Sequence, residues 1–260
     1  MSKKKALRKE AEKEKTESEN DEADEIMKQL QDKIVISAKN LIKDYEIGEF
    51  IVRAVDGVSL NIKTGEFIVI KGPSGAGKTT LLNLLGGLDK SNKGTIFIHA
   101  VKISDMEEES LATFRLLNSG FIFQNYNLIS TLTAEENVLF PMRIAGVSLK
   151  KARDIASRLL EKVGLKERRE HLPFQLSAGE QQRVAIARAL ANNPPIILAD
   201  EPTANLDKKT SEFIRDLFKD LKEDNKTIII ATHDDYLIEL ADRIINFEDA
   251  RIIKEHTEIE

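Results

Sequence analysis

The sequence contains no cysteine. Disulfides and thiolate zinc sites are therefore excluded, and a reducing compartment fits. Histidine is scarce, with four in 260 residues, which argues against a His-rich metal site. No apolar run approaches the ~18–20 residues that a membrane helix needs. The chain starts basic, but no apolar stretch follows, so a secretory signal is not expected. Positive charge is not in surplus either: the net charge is −5. A globally basic nucleic-acid binder is disfavoured, and no nucleic-acid partner is expected. What the chain does have is 41% hydrophobic and 32% charged residues. That is enough apolar material for a real core, and one large α/β domain can reach this length.

The first 33 residues differ from the rest. Lys3, Lys4, Lys5, Arg8, Lys9, Lys13 and Lys15 face Glu10, Glu12 and Glu14, and residues 16–25 carry acids with no base. Large apolar side chains are nearly absent before Ile26. Such a segment cannot bury enough surface to offset its ordering entropy, so residues 1–33 are expected to be a charged, disordered tail. A basic arm on anionic lipid is the sharper alternative, weakened by the neighbouring acidic block.

From Ile34 short strands are expected: Ile34–Lys39, Ile51–Val55, Val58–Ile62, Phe67–Ile70 and Thr95–Ile98. Thr79–Leu88 has helical spacing. Residues 134–170 read as helices broken at Gly146 and Gly164, and Ile155, Leu159, Leu160 and Val163 fall on one face. Ser177–Asn192 reads as a helix, Ile196–Ala199 as a buried strand, and Ser211–Leu221 as a helix. Thr227–Ala231 follows as a buried strand, Asp235–Ala241 as a helix, and Ile244–Phe247 as a last strand. The alternation predicts an α/β domain over residues 34–260 with a largely parallel sheet and an antiparallel group near the N-terminus.

Three stretches carry chemistry. Gly72-Pro73-Ser74-Gly75-Ala76-Gly77-Lys78-Thr79 fits GxxxxGK[ST], ends a predicted strand and opens a predicted helix, with Thr80 next in that helix. Its glycines let backbone N–H groups curl around phosphate oxygens, and the helix N-terminus adds partial positive charge. Lys78 would reach the β- and γ-phosphates, and Thr79 would coordinate Mg²⁺. Second, a buried apolar strand runs into Asp200 and Glu201. Two carboxylates there need a compensating charge; Asp200 suits Mg²⁺ and Glu201 suits polarisation of an attacking water. Third, Leu176-Ser177-Ala178-Gly179-Glu180 opens a helix rich in Ala and Arg, with Ser177 and Glu180 spaced as a capping box.

Together these residues resemble the ATP-binding-cassette (ABC) ATPases, the nucleotide-binding subunits of ABC transporters. The resemblance covers about Ile34 to Lys254 and extends to further motifs in the family's order. It implies that Tyr45 stacks on adenine, that Gln124 contacts Mg²⁺, and that Asp207 closes the D-loop Ala204–Asp207. It implies that His233 contacts the γ-phosphate. It also implies that Ser177, Ala178, Gly179 and Glu180 form a signature that caps the ATP of a second copy. Here Ala178 and Glu180 replace the family's usual Gly and Gln. The implied architecture is a P-loop core with an antiparallel β subdomain and an inserted helical subdomain at about residues 125–192. The implied cofactors are ATP and Mg²⁺. The implied assembly is an ATP-dependent homodimer, cytoplasmic and peripheral on the inner face of the cell membrane, driving a separate integral membrane permease.

The stretch Gln124–Val138, followed by Pro141 and Gly146, is similar to the lipoprotein-release and macrolide-export subgroup (LolD-, MacB- and FtsE-like), whose permeases are FtsX-like. In that subgroup Asn137–Pro141 lies where the ATPase meets its permease. Amino-acid importers share much of this wording. Non-transport cassettes fit less well. Lys78 and Ser177 are 99 positions apart, which leaves no room for the coiled-coil insertion of DNA-repair ABC ATPases. Ribosome-associated members join two cassettes, and this chain has one.

Overall fold

The computed structural model describes residues 33–257. The expectation of a disordered tail at residues 1–33 falls almost wholly outside them. Two sheets form the frame. The first is antiparallel, in the order β2-β1-β4-β5, built from β1 (Ile34–Ile47), β2 (Phe50–Lys63), β4 (Lys93–Ile98) and β5 (Val101–Lys102). The second has the order β10-β9-β3-β8-β7-β6. Its members are β3 (Phe67–Lys71), β6 (Ser119–Ile122), β7 (Ile196–Asp200), β8 (Thr227–Ala231), β9 (Arg243–Glu248) and β10 (Arg251–Thr257). All its pairings are parallel except β9 with β10.

The central strands are apolar without interruption because both of their faces are covered. Phe67, Val69, Ile197, Ala199, Ile228 and Ile230 point into one core. Their alternates Ile68, Ile70, Ile196, Leu198, Ile229 and Ala231 point into the other, as a period of two requires. The first core receives four helices: α3 (Ala134–Ile144), α4 (Leu149–Lys162), α5 (Ala178–Ala189) and α6 (Lys208–Glu223). The second receives the antiparallel sheet with α1 (Lys78–Leu85) and α2 (Glu108–Asn118). Between β6 and β7 the regular elements described are helical, including the 3-10 turns Lys166–Arg168 and Pro173–Gln175.

Several boundaries differ from the sequence reading. β1 and β2 run on to a tight turn at Gly48–Glu49, so the early short strands merge into one long hairpin. The helix expected over Asp235–Ala241 stops at Ile238, as α7 (Asp235–Ile238). The strand at Ile244 is not the last, since β10 follows it. α2 was not anticipated: in it Leu111 is the one buried side chain, and acidic residues fill its first turn.

Candidate functional site

The C-terminal ends of β3, β7 and β8 release three loops on one side of the parallel sheet, where α/β folds bind ligands. Residues 72–77 wrap from β3 into α1. Gly77 caps α1 with φ of 101°. A Cβ there would lie 2.1 Å from the Ala54 carbonyl oxygen, and one on Gly72 would lie 1.8 Å from that of Phe247. The loop is thus clamped between β2 and β9, and only glycine passes at either point.

Lys78 is buried at the loop's centre. Its ammonium donates to the carbonyls of Gly72 (2.6 Å) and Pro73 (3.0 Å) and lies 3.2 Å from His233 Nε2. The ammonium can only donate, so Nε2 accepts. Glu201 Oε1 approaches the same nitrogen at 3.6 Å, beyond hydrogen-bond reach. Glu201 holds φ of 43°, unusual for a non-glycine residue, and its N–H donates to the Ala231 carbonyl. That conformation turns the carboxylate out of the strand line and toward His233.

Thr79 donates its hydroxyl to Asp200 Oδ2 at 2.7 Å. Burial pushes the Asp200 carboxyl above its usual range, opposed by that hydroxyl and by the Lys78 charge. A half-buried carboxylate held so against a hydroxyl, with Gln124 lining the same cleft, is an all-oxygen donor set of the kind hard divalent cations take. These residues therefore fit Mg²⁺.

The cleft has a volume of about 540 Å³ and gathers Tyr45, Ser74, Gly75, Gly77, Lys78, Thr79, Thr80, Gln124, Asp200, Glu201 and His233. Gly72 and Pro73 serve it from behind through their carbonyls, and Ala76 is buried in the loop. The sequence reading missed Val52, Arg53 and Ala54 of β2, which line it too, as does Ala204, the first residue of the expected D-loop. The signal available was the Val52–Tyr45 register, visible only once β1 and β2 are paired as one hairpin. Tyr45 donates its hydroxyl to Asp89 (2.7 Å), and the Lys43 ammonium sits 4.9 Å from the ring centroid.

Ser177, Ala178, Gly179, Glu180 and Asp207 lie outside this cleft. Ser177 caps α5, accepting from the Glu180 N–H, while Glu180 Oε2 accepts from the Ser177 N–H at 2.8 Å. Glu180 Oε1 pairs with Arg168 at 3.2 Å. Both carboxylate oxygens of Glu180 are thus engaged within the chain. Gly179 presses on α6: a Cβ would meet the Thr210 methyl at 2.8 Å. Thr210 is in turn held by Asp207, which caps α6. The Gln182 amide donates to the Pro202 carbonyl at 2.7 Å, tying α5 to the residue after Glu201.

A second cleft of about 430 Å³ is mainly apolar, with Leu88, Phe121, Phe123, Phe140, Pro141 and Ile144 among its walls. Phe123 lines this cleft while the next residue, Gln124, lines the first. Arg188 donates to the carbonyls of Tyr126 and Asn127 and holds the connecting loop. The stretch Asn137–Pro141, expected whole at a permease contact, is divided. Asn137 and Val138 are fully buried. Asn137 braces the preceding loop through Ile129, Leu132 and Thr133. Phe140 and Pro141 alone of that stretch line the open cleft.

The ABC transporter family profile matches residues 55–204 of the chain. The chain belongs to the ABC transporter family. It is an ATP-binding ATPase subunit. It is 49% identical over 220 residues to an uncharacterized ABC transporter ATP-binding protein of Thermotoga maritima, covering 85% of this chain and 94% of that one. It is 46% identical over 221 residues to the macrolide export ATP-binding/permease protein MacB of Hyphomonas neptunium, covering 85% of this chain and 34% of MacB. Among solved structures, the dimeric cassette MJ0796 of Methanocaldococcus jannaschii in a post-hydrolysis state with ADP and Pi superposes with a TM-score of 0.83. That similarity is at 45% identity and covers 86% of this chain and 99% of that one.

Proposed function

We propose that this chain powers an export-type ABC system by closing head to tail with a second copy around two ATP molecules. The reading is carried by one observation. Lys78, Thr79, Asp200, Glu201 and His233 converge on one cleft, while Ser177 and Gly179, at the N-terminus of α5, lie outside it. A phosphate seat split this way is completed by a copy. Lys78 and the loop N–H groups would hold the β- and γ-phosphates. Glu201 would polarise the attacking water, and His233 would contact the γ-phosphate. The positive end of α5 would cap the terminal phosphate of the partner's ATP through Ser177 and Gly179. Thr79, Asp200 and Gln124 would hold Mg²⁺, whose chemistry is neutralisation of phosphate charge. Tyr45 would stack on the adenine with the ring face that Lys43 leaves open.

The described residues include no helix long and apolar enough to cross a membrane; membership of the ABC transporter family supports a membrane permease as the partner. The apolar cleft at Phe140 and Pro141 suits a permease segment. Phe123 and Gln124 join that cleft to the nucleotide. An FtsX-like partner on the inner membrane face agrees with the subgroup resemblance and with the similarity to MacB.

The test is Glu201→Gln. It should bind MgATP and accumulate as a dimer in size-exclusion chromatography, with phosphate release slowed by about 10²–10⁴. Near-normal turnover would mean that Glu201 does not polarise the attacking water.

A further inference from the structure

Among the exposed apolar side chains of the described residues, two spots lie beside residues of the proposed nucleotide site. Phe50 is 77% exposed and Ile47 62%, at the tip of the β1–β2 hairpin. Phe174 is also 77% exposed, in the turn before the signature. Large side chains held in water like this mark interaction surfaces when they cluster beside a functional site.

Both spots border the two halves of the composite site. In the hairpin, Tyr45 pairs with Val52 and Ile47 with Phe50, with no register shift between them. The period of two then puts Tyr45, Ile47, Phe50 and Val52 on one face. Tyr45 and Val52 line the nucleotide cleft, so Ile47 and Phe50 carry that wall outward past the base end. On the other half, Phe174 precedes the capping Ser177 by three positions. Its turn is rigid: Pro173 is buried, the Leu172 N–H donates to the Gln175 side chain at 2.8 Å, and the Leu176 N–H donates to the Pro173 carbonyl. A fixed aromatic on a pinned turn loses little entropy on binding.

We propose that, when ATP closes the dimer, Phe174 of each protomer packs against the Ile47–Phe50 face of its partner. The inference rests on the head-to-tail reading above. The occupant is a second copy because both spots are continuous with the surfaces that meet in that dimer. The contact adds an apolar anchor beside the base, separate from the phosphate contacts of Ser177 and Gly179. It also gives each hairpin a part in sealing the nucleotide end of the cleft from water.

The absence of cysteine makes the test direct. In a Glu201→Gln background, Phe174→Cys and Phe50→Cys chains are mixed and treated with a short bis-maleimide. A heterodimeric cross-link that needs ATP is expected. Separately, Phe174→Ser and Phe50→Ser should each raise the Kd of the ATP-bound dimer by about tenfold or more, measured by analytical ultracentrifugation. The double variant should be no worse than about either single one, since both remove the same contact. ATP affinity of the dilute monomer should not change. If the Glu201→Gln parent dimerises on ATP while these variants dimerise equally well and no cross-link forms, the contact is overturned. Loss of binding to anionic vesicles with dimerisation intact would overturn it too, making the hairpin a membrane contact. A parent that stays monomeric with ATP would fail the underlying reading, and that lane alone distinguishes the two failures.

Discussion

Lys78 Nζ lies 3.2 Å from His233 Nε2 although 155 positions separate the two residues. The same ammonium donates to the carbonyls of Gly72 and Pro73, so its three N–H donors are committed. A phosphate entering the loop competes for those donors. Lysine and histidine must therefore turn to it together. His233→Ala removes one of the two without touching the loop. We expect ATP affinity to stay within about threefold. Phosphate release should fall by about 10²–10³, the usual cost of losing a donor aimed at developing charge, a role Nε2 takes once it carries the ring proton instead of accepting from Lys78. Fluorescent-nucleotide titration and single-turnover phosphate release measure the two. Equal losses in both would place His233 in binding rather than chemistry.

Two glycines of the loop separate backbone strain from collision. Gly75 and Gly77 both have positive φ, 78° and 101°. A Cβ on Gly75 meets nothing within 4 Å, whereas one on Gly77 meets the Ala54 carbonyl at 2.1 Å. Gly75→Ala should cost about 1 kcal/mol, the cost of an unfavourable backbone region alone. Gly77→Ala should cost more than about 2 kcal/mol, because β2 must also move. Urea unfolding without nucleotide compares them. Similar values would mean that β2 yields freely.

The phosphate loop was legible because its residues are contiguous and sit between a run and a period that name strand and helix. The core strands were legible for a related reason: Phe67–Ile70, Ile196–Ala199 and Thr227–Ala231 are apolar on both faces, and both faces are covered. α2 was illegible because only Leu111 in it is buried, with Phe114 partly buried against the same core, too few to set a helical period. β10 was illegible because its side chains are mostly exposed and it forms by pairing with β9. Asn137 was read with its neighbours as contact surface. Its burial follows from a loop whose backbone groups need its amide, which no local pattern reveals. The cleft lining by Val52–Ala54 likewise depends on how β1 and β2 pair across their hairpin, which the short separate strands read from the sequence do not give.

The signature cap predicts a pH dependence. Hydrogen bonds from the Ser177 N–H and hydroxyl and from Arg168 hold Glu180 below its ordinary carboxyl range, against a smaller opposing effect of burial. A carboxyl lowered in the folded state stabilises it above the unfolded value near 4.5, and that contribution is lost as pH falls through the lowered value. Glu180→Gln keeps an acceptor but loses the charge. The wild type should be more stable than the variant at neutral pH, by about 0.5–1 kcal/mol. The gap should close as pH falls below 4.5 and through the lowered value. Urea unfolding across pH gives the difference directly. A gap that persists in acid would assign the effect to geometry rather than charge.

Gln182 tests whether the signature helix and the catalytic carboxylate move as one. It is 1% exposed, and its amide N–H donates to Pro202, the residue after Glu201. Its Oε1 is buried with no partner. Gln182→Met keeps the volume, removes the donor, and also removes that unpartnered oxygen. The two changes oppose each other in stability, so net unfolding free energy should move by less than about 1 kcal/mol. Catalysis should respond differently. The tie fixes the segment that carries Glu201 in its left-handed turn, and small misplacements at a reacting centre are costly. We expect kcat to fall by about tenfold with KM for ATP unchanged. The ATP-bound dimer of the Glu201→Gln, Gln182→Met double variant should still form, because Ser177 and Gly179 keep their own cap. Gln182→Asn, too short to reach Pro202, should reproduce the kcat loss. If kcat holds while the melting temperature drops, Gln182 is a packing residue, and the two halves of the site are not coupled through it.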